Sequence, residues 1–238
     1  MRNKVIPYNF LTSIAILSLV LIMPLLGNST TICSHIFSSE KENLILSDSV
    51  YDHYTKIFYE ARERNSRIPP FKMWTFEPND PIRPGEYAAI YYYTVHPSFV
   101  EMNTNLRRNI PEGDMRPYIR AAIKLAISGL SKLPDFKGPV YRGGLRNGEF
   151  YNEVLEKYKV GTIITEPTFL STSEGSRLRS YFKSPPLADF YIISKTGKNI
   201  QDIAINPKER EVLFLPGTRF HVDKAIESPR LQIWMTEI

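Results

Sequence analysis

The chain has 238 residues, 42% hydrophobic and 23% charged, an ordinary globular composition with room for one domain or two small ones. Its formal charge of +5 is spread out, with no Lys/Arg run longer than two, and so does not point to nucleic acid. A single Cys33 excludes an internal disulfide framework and a Cys-clustered metal site, and His35, His53, His96 and His221 form no local metal pair.

The first 29 residues read as an export leader. Arg2 and Lys4 precede an apolar run from Phe10 to Leu26, and the small residues Gly27 and Ser29 suit cleavage before Thr30. The alternative is a membrane anchor, but the run is short for a bilayer and contains Thr12, Ser13 and Ser18. Losing Arg2 and Lys4 takes the charge from +5 to +3. The expectation is a secreted protein whose single domain spans 30–238, with no stable membrane association after cleavage.

A helix capped by Asp48 or Ser49 follows, with Val50, Tyr54, Ile57, Phe58 and Ala61 at helical spacing. The proline-rich stretch 67–84 predicts a connecting loop. Glu86–Val95 is a second helix, a short third follows Pro97, and Met115–Leu133 is a fourth, stopped by Pro134. Beyond Gly138 the pattern changes to short apolar runs bounded by Gly, Pro and Ser. These predict strands at Pro139–Arg142, Thr162–Ile164, Thr168–Thr172, Ala188–Ser194, Val212–Leu215, Thr218–Val222 and Leu231–Met235, with a helix at Asn152–Tyr158. Helices followed by strands predict an α+β fold, and no long linker divides them.

Three segments of the strand-rich half carry candidate chemistry. In Val140-Tyr141-Arg142-Gly143-Gly144 a strand ends on an arginine fork suited to phosphate or carboxylate, beside glycines that admit a ligand to the backbone. Phe169-Leu170-Ser171-Thr172-Ser173 places Phe169, Ser171 and Ser173 on one strand face, where hydroxyls can orient a neighbouring carboxylate. In Glu209-Arg210-Glu211-Val212-Leu213-Phe214-Leu215-Pro216-Gly217, Glu211 enters a strand buried on both faces, where its charge is costly unless used. On extended backbone, Glu209 and Glu211 would point the same way, about 6.5–7 Å apart. Such a carboxylate pair can serve a glycosidic bond that breaks through an oxocarbenium-like state. Taken singly, the three segments are better read as a surface arginine at a turn, an edge strand facing water and a solvated charge cluster.

In this order, VYRGG, FLSTS and EREVLFLPGTRF resemble the arginine-specific mono-ADP-ribosyltransferases of the Arg–Ser–Glu class, which include bacterial toxins and vertebrate ecto-enzymes. Upstream, LPDFKGPVYRGG and EYAAIYYYT are similar to the same family, so the resemblance covers about residues 45–238. It implies two facing β-sheets forming an NAD cleft with a helical segment beside them. It also implies roles. Arg142 would hold an NAD phosphate, Gly143 would meet the nicotinamide carboxamide, and Ser171 with Thr172 would orient Glu211. Glu211 would stabilise the oxocarbenium ion, and Glu209 would contact the acceptor guanidinium. The partners implied are NAD, consumed as substrate, and an arginine-bearing target protein; no metal and no retained cofactor are expected. The alternatives are an NAD glycohydrolase and a non-catalytic binding protein on the same scaffold. Two departures stand out. The loop before Glu209, often aromatic in the family, reads Ala204-Ile205-Asn206-Pro207, and no residue of 174–186 (Arg177, Arg179, Tyr181, Phe182) can be matched to NAD.

Overall fold

Proline and a reciprocal cap set where the second helix begins. In the computed structural model, which describes residues 44–64, 80–144, 154, 156–175, 188–227 and 231–238, helix α1 is Asp48–Arg64 and α2 is Pro84–Tyr93. Helix α2 starts two residues earlier than the periodicity indicates. Pro84 needs no N–H there, and Glu86 reaches back to accept from the Arg83 backbone N–H at 2.9 Å. Helices α3 (Ser98–Arg107) and α4 (Pro117–Lys132) complete this half.

Helix α2 is buried almost all round, at Glu86, Ala88, Ala89, Ile90, Tyr92 and Tyr93. In its first turn the Glu86 carboxylate, fully buried, accepts from Ser128 at 2.6 Å and pairs with Lys132 at 2.7 Å and Arg83 at 2.9 Å. Burial alone would raise its pKa, but these bonds outweigh it and hold the carboxyl below the usual range. Gly129 makes the approach of α4 possible, since a Cβ there would lie 2.8 Å from that of Glu86.

The strands are β1 (Asp135–Gly144), β2 (Ile163–Thr165), β3 (Leu170–Ser173), β4 (Ala188–Asn199), β5 (Glu211–Phe214), β6 (Arg219–Ile226) and β7 (Leu231–Glu237). They are hydrogen-bonded in the order β1-β3-β5-β4-β7-β6-β2, with β1 also paired to β4. Only β4–β7 is parallel among the described pairs. The two layers expected to face each other are thus joined at their edges. The β3–β5 pair meets β1 at Tyr141–Ser173 and β4 at Lys198–Leu213.

Strand β5 is the shared wall between two cores. Val212 and Phe214 pack with Val140, Ile192, Phe220 and Met235 in the sheet core, while Leu213 joins Phe169, Ile200 and the helices. The expected burial on both faces is observed at every residue of β5. Strands β1, β4 and β6 run further than the apolar runs suggest, because backbone pairing continues through polar residues. In β4 it continues to Lys198 and Asn199, opposite Leu213 and Val212. The leader, most of the proline-rich loop and the 174–186 stretch beyond Gly175 lie outside the described residues, as do 152, 153 and 155 of the expected 152–158 helix, in which 154, 156 and 157 are helical.

Candidate active site

The three candidate segments converge where β1, β3 and β5 meet. Arg142, opposite Phe190 on β4, donates from Nη1 to the Ser171 carbonyl oxygen at 2.5 Å, tying the arginine strand to the serine strand. Gly143 follows it opposite Asp189. Arg142 also lines a small cavity of about 20 Å³ with Tyr158, Glu166, Leu170 and Phe190.

Strand β3 holds β5 through its hydroxyls. Ser173 lies opposite Glu211 and Ser171 opposite Leu213, so Ser171 is diagonal to Glu211 and hydrogen-bonds its carboxylate. Thr172 donates to the Val212 carbonyl at 2.6 Å, and so fixes the strand rather than the glutamate side chain. Ser173, given no role by the family resemblance, donates to the Glu209 backbone carbonyl at 2.5 Å.

The two glutamates do not share extended backbone. Pro207–Glu209 form a 3₁₀ turn and Arg210 is left-handed at φ 47° and ψ 51°, so the strand spacing expected for them does not apply. The proline drives this. Its fixed φ suits the first position of a tight turn, and the chain passes from that turn into β5 through the left-handed Arg210. The turn sends Arg210 outward to Glu174, at 2.6 Å, leaving the glutamates on either side of it.

Glu211 is 6% exposed, and its pKa is pushed up to about 7. Burial is the main cause. The Glu209 charge adds to it, while the Ser171 hydrogen bond and the Arg142 charge oppose it. Burial also raises Glu209, against a bond from Asn206 Nδ2 to its Oε1 at 2.9 Å. A carboxyl poised near neutrality beside a guanidinium, with a second carboxylate close by, suits stabilising a cation and taking up a proton.

Three contributors from the helical half escaped the sequence reading. Asn103 clamps the entrance to β3, donating from Nδ2 to the Phe169 carbonyl at 3.2 Å and accepting the Phe169 N–H at Oδ1 at 3.2 Å. The same amide reaches the Tyr93 hydroxyl at 3.2 Å. Tyr93 is raised by burial first and then by the Glu211 charge, which places it beside the candidate acid. Arg107 is lowered by burial, raised by Glu166 and lowered by Arg142, so it borders the same cationic wall. The available signal was the i, i+4 pair Asn103 and Arg107 on one face of a short helix. Among the described residues no group of three His, Cys, Asp or Glu side chains could hold a metal ion.

The profile of the ADP-ribosyltransferase exoenzyme family matches residues 71–234. The chain belongs to this family. The ADP-ribosyltransferase exoenzyme match spans all three candidate segments. The Mycobacterium avium (strain 104) protein Mav is 31% identical over 153 residues, which is 64% of this chain and 18% of Mav. The NAD(+)–protein-arginine ADP-ribosyltransferase Tre1 of Serratia proteamaculans (strain 568) is 28% identical over 186 residues, 77% of this chain and 37% of Tre1. The chain therefore spans well under half the length of either relative. Among solved structures, ADP-ribosyltransferase HopU1 of Pseudomonas syringae pv. Tomato DC3000 superposes with a TM-score of 0.58 at 21% identity, covering 79% of this chain and 88% of HopU1. That likeness establishes the ADP-ribosyltransferase fold.

Proposed function

We propose that this protein is an exported NAD–protein-arginine mono-ADP-ribosyltransferase acting as a toxin or effector, with residues 1–29 as leader and 30–238 as catalytic domain. The observation that carries the reading is Glu211, a buried carboxyl near neutrality, hydrogen-bonded by Ser171 and facing the charges of Arg142 and Glu209. Arg142 and Gly143 receive NAD at the β1 edge, with the guanidinium on a phosphate. Ser171 aims Glu211 at the nicotinamide-ribose, and Thr172 keeps its strand in register. The bond between the ribose C1′ and the nicotinamide nitrogen breaks, and its electron pair leaves with nicotinamide. Glu211 as carboxylate stabilises the cation left at C1′. Glu209 then orients the target guanidinium, whose nitrogen attacks C1′ while the carboxylate takes its proton. An acidic residue at this position suits a cationic acceptor, and the relative Tre1 carries protein-arginine in its name.

The deciding experiment incubates the protein with labelled NAD and a cell lysate and maps the label by mass spectrometry. Label on arginine supports the reading, whereas nicotinamide release with no transfer leaves a glycohydrolase. Glu211→Gln should lower nicotinamide release by at least about 10²-fold, the scale of one lost transition-state stabiliser. Export is tested by sequencing the N-terminus of protein recovered from the medium, which should begin near Thr30.

A further inference from the structure

The cationic wall beside Arg142 contains one acid that the proposed mechanism does not use. Glu166 is buried, at 9% exposure, just upstream of β3. Its backbone is tied on both sides to the turn that follows β5: the Glu166 N–H donates to the Thr218 carbonyl at 2.9 Å, and the Gly217 N–H donates to the Glu166 carbonyl at 2.7 Å. Its carboxylate accepts from the Thr168 hydroxyl at 2.6 Å and faces Lys157 Nζ at 3.7 Å. It lines the same small cavity as Arg142 and Tyr158, and its charge is felt by Arg107 from α3.

Three cations from separate parts of the chain thus gather on the side of one carboxylate: Lys157 faces it at 3.7 Å, Arg142 lines the same cavity, and Arg107 feels its charge. Without that charge they would repel one another at short range in a partly desolvated site. We propose that Glu166 is a positioning residue for the diphosphate of NAD, the internal counter-ion that holds Arg107, Arg142 and Lys157 in one wall able to receive two phosphates. This rests on the NAD-cleaving reading above. Glu166 touches neither the breaking bond nor the acceptor; it acts through the cations. Thr168 holds the carboxylate in one orientation, and the turn after β5 ties its position to the strand bearing Glu211.

The test compares wild type with Glu166→Gln in steady-state nicotinamide release, and measures ADP-ribose and nicotinamide binding separately. The expected result is a KM for NAD raised about tenfold with kcat within about threefold, the signature of lost uniform binding. ADP-ribose should weaken in parallel, while nicotinamide binding stays unchanged. A KM that is unchanged or lower overturns the proposal, since a lower KM would make Glu166 a competitor of the phosphates. A fall in kcat alone overturns it as well. Should Glu166→Gln fail to fold, Thr168→Val keeps the charge but frees the carboxylate, and should raise KM in the same direction by about threefold. No KM change in that folded variant also overturns it. A wild-type protein that binds ADP-ribose but releases no nicotinamide would defeat the functional reading alone. The role of Glu166 would then be decided by whether Glu166→Gln weakens ADP-ribose binding.

Discussion

Ser171 hydrogen-bonds the buried carboxylate of Glu211 diagonally across the β3–β5 pair, and this bond opposes the burial that raises Glu211 to about 7. Glu211 must be ionised to stabilise a developing cation. The rate of nicotinamide release, as kcat/KM, should therefore rise about tenfold per pH unit below about 7 and level off above it. Ser171→Ala removes a bond that favours the charged form, so the bend should move to higher pH. A profile flat between about pH 5 and 7 in wild type would dissociate Glu211 from the rate.

The same raised pKa has an opposite consequence for stability. Between the ordinary 4.5 and the folded value of about 7, the native protein binds more protons at Glu211 than the unfolded chain does. Unfolding free energy therefore falls as pH rises through that window, by roughly 3 kcal/mol once above it. Glu211→Gln abolishes this cost. Urea melts should show the variant more stable than wild type at about pH 8, with the gap closing toward about pH 4.5. A variant less stable at high pH would contradict the assignment.

Glu209→Gln should separate the two halves of the reaction. The oxocarbenium-stabilising carboxylate remains, so NAD hydrolysis to water should persist within about tenfold, while transfer to agmatine should fall by about 10²–10⁴. Equal losses in both assays would place Glu209 on NAD rather than on the acceptor. Thermal melts come first, because the Asn206 bond to Glu209 also supports the turn.

Asn103→Ala should destabilise the protein by about 1–3 kcal/mol, because it takes the partner from the Phe169 N–H and leaves the Phe169 carbonyl only the longer bond from the Tyr93 hydroxyl, at 3.4 Å. Denaturant midpoints check this. A neutral substitution would mean that β3 is positioned without α3.

Much of the strand-rich half was legible in local chemistry. Val212–Leu215 ended by Pro216-Gly217 could only be a short strand without a solvent face, and that burial is what makes Glu211 unusual. The arginine, serine and glutamate segments carried the family resemblance because backbone-like roles, such as a strand-end fork or alternating hydroxyls, leave a mark within five or six residues. Two helix starts were displaced by two positions in opposite directions, because Pro84 opens α2 ahead of the expected Glu86 and Pro117 opens α4 after the expected Met115.

The sequence by itself determined the α+β class, the order of the three segments and the pairing of two carboxylates near a buried strand, because these follow from periodicity and adjacency. Only the tertiary structure decided how the carboxylates are aimed. The left-handed Arg210 turns Glu209 out of the strand line, in a turn that opens on Pro207 and is tied by the Ser173 bond to the Glu209 carbonyl. It also decided which distant residues serve the site. Asn103 lies 66 positions from Phe169, and Arg107 feels the charge of Glu166 across a comparable gap, relationships that no local pattern encodes because chain folding alone brings these residues together.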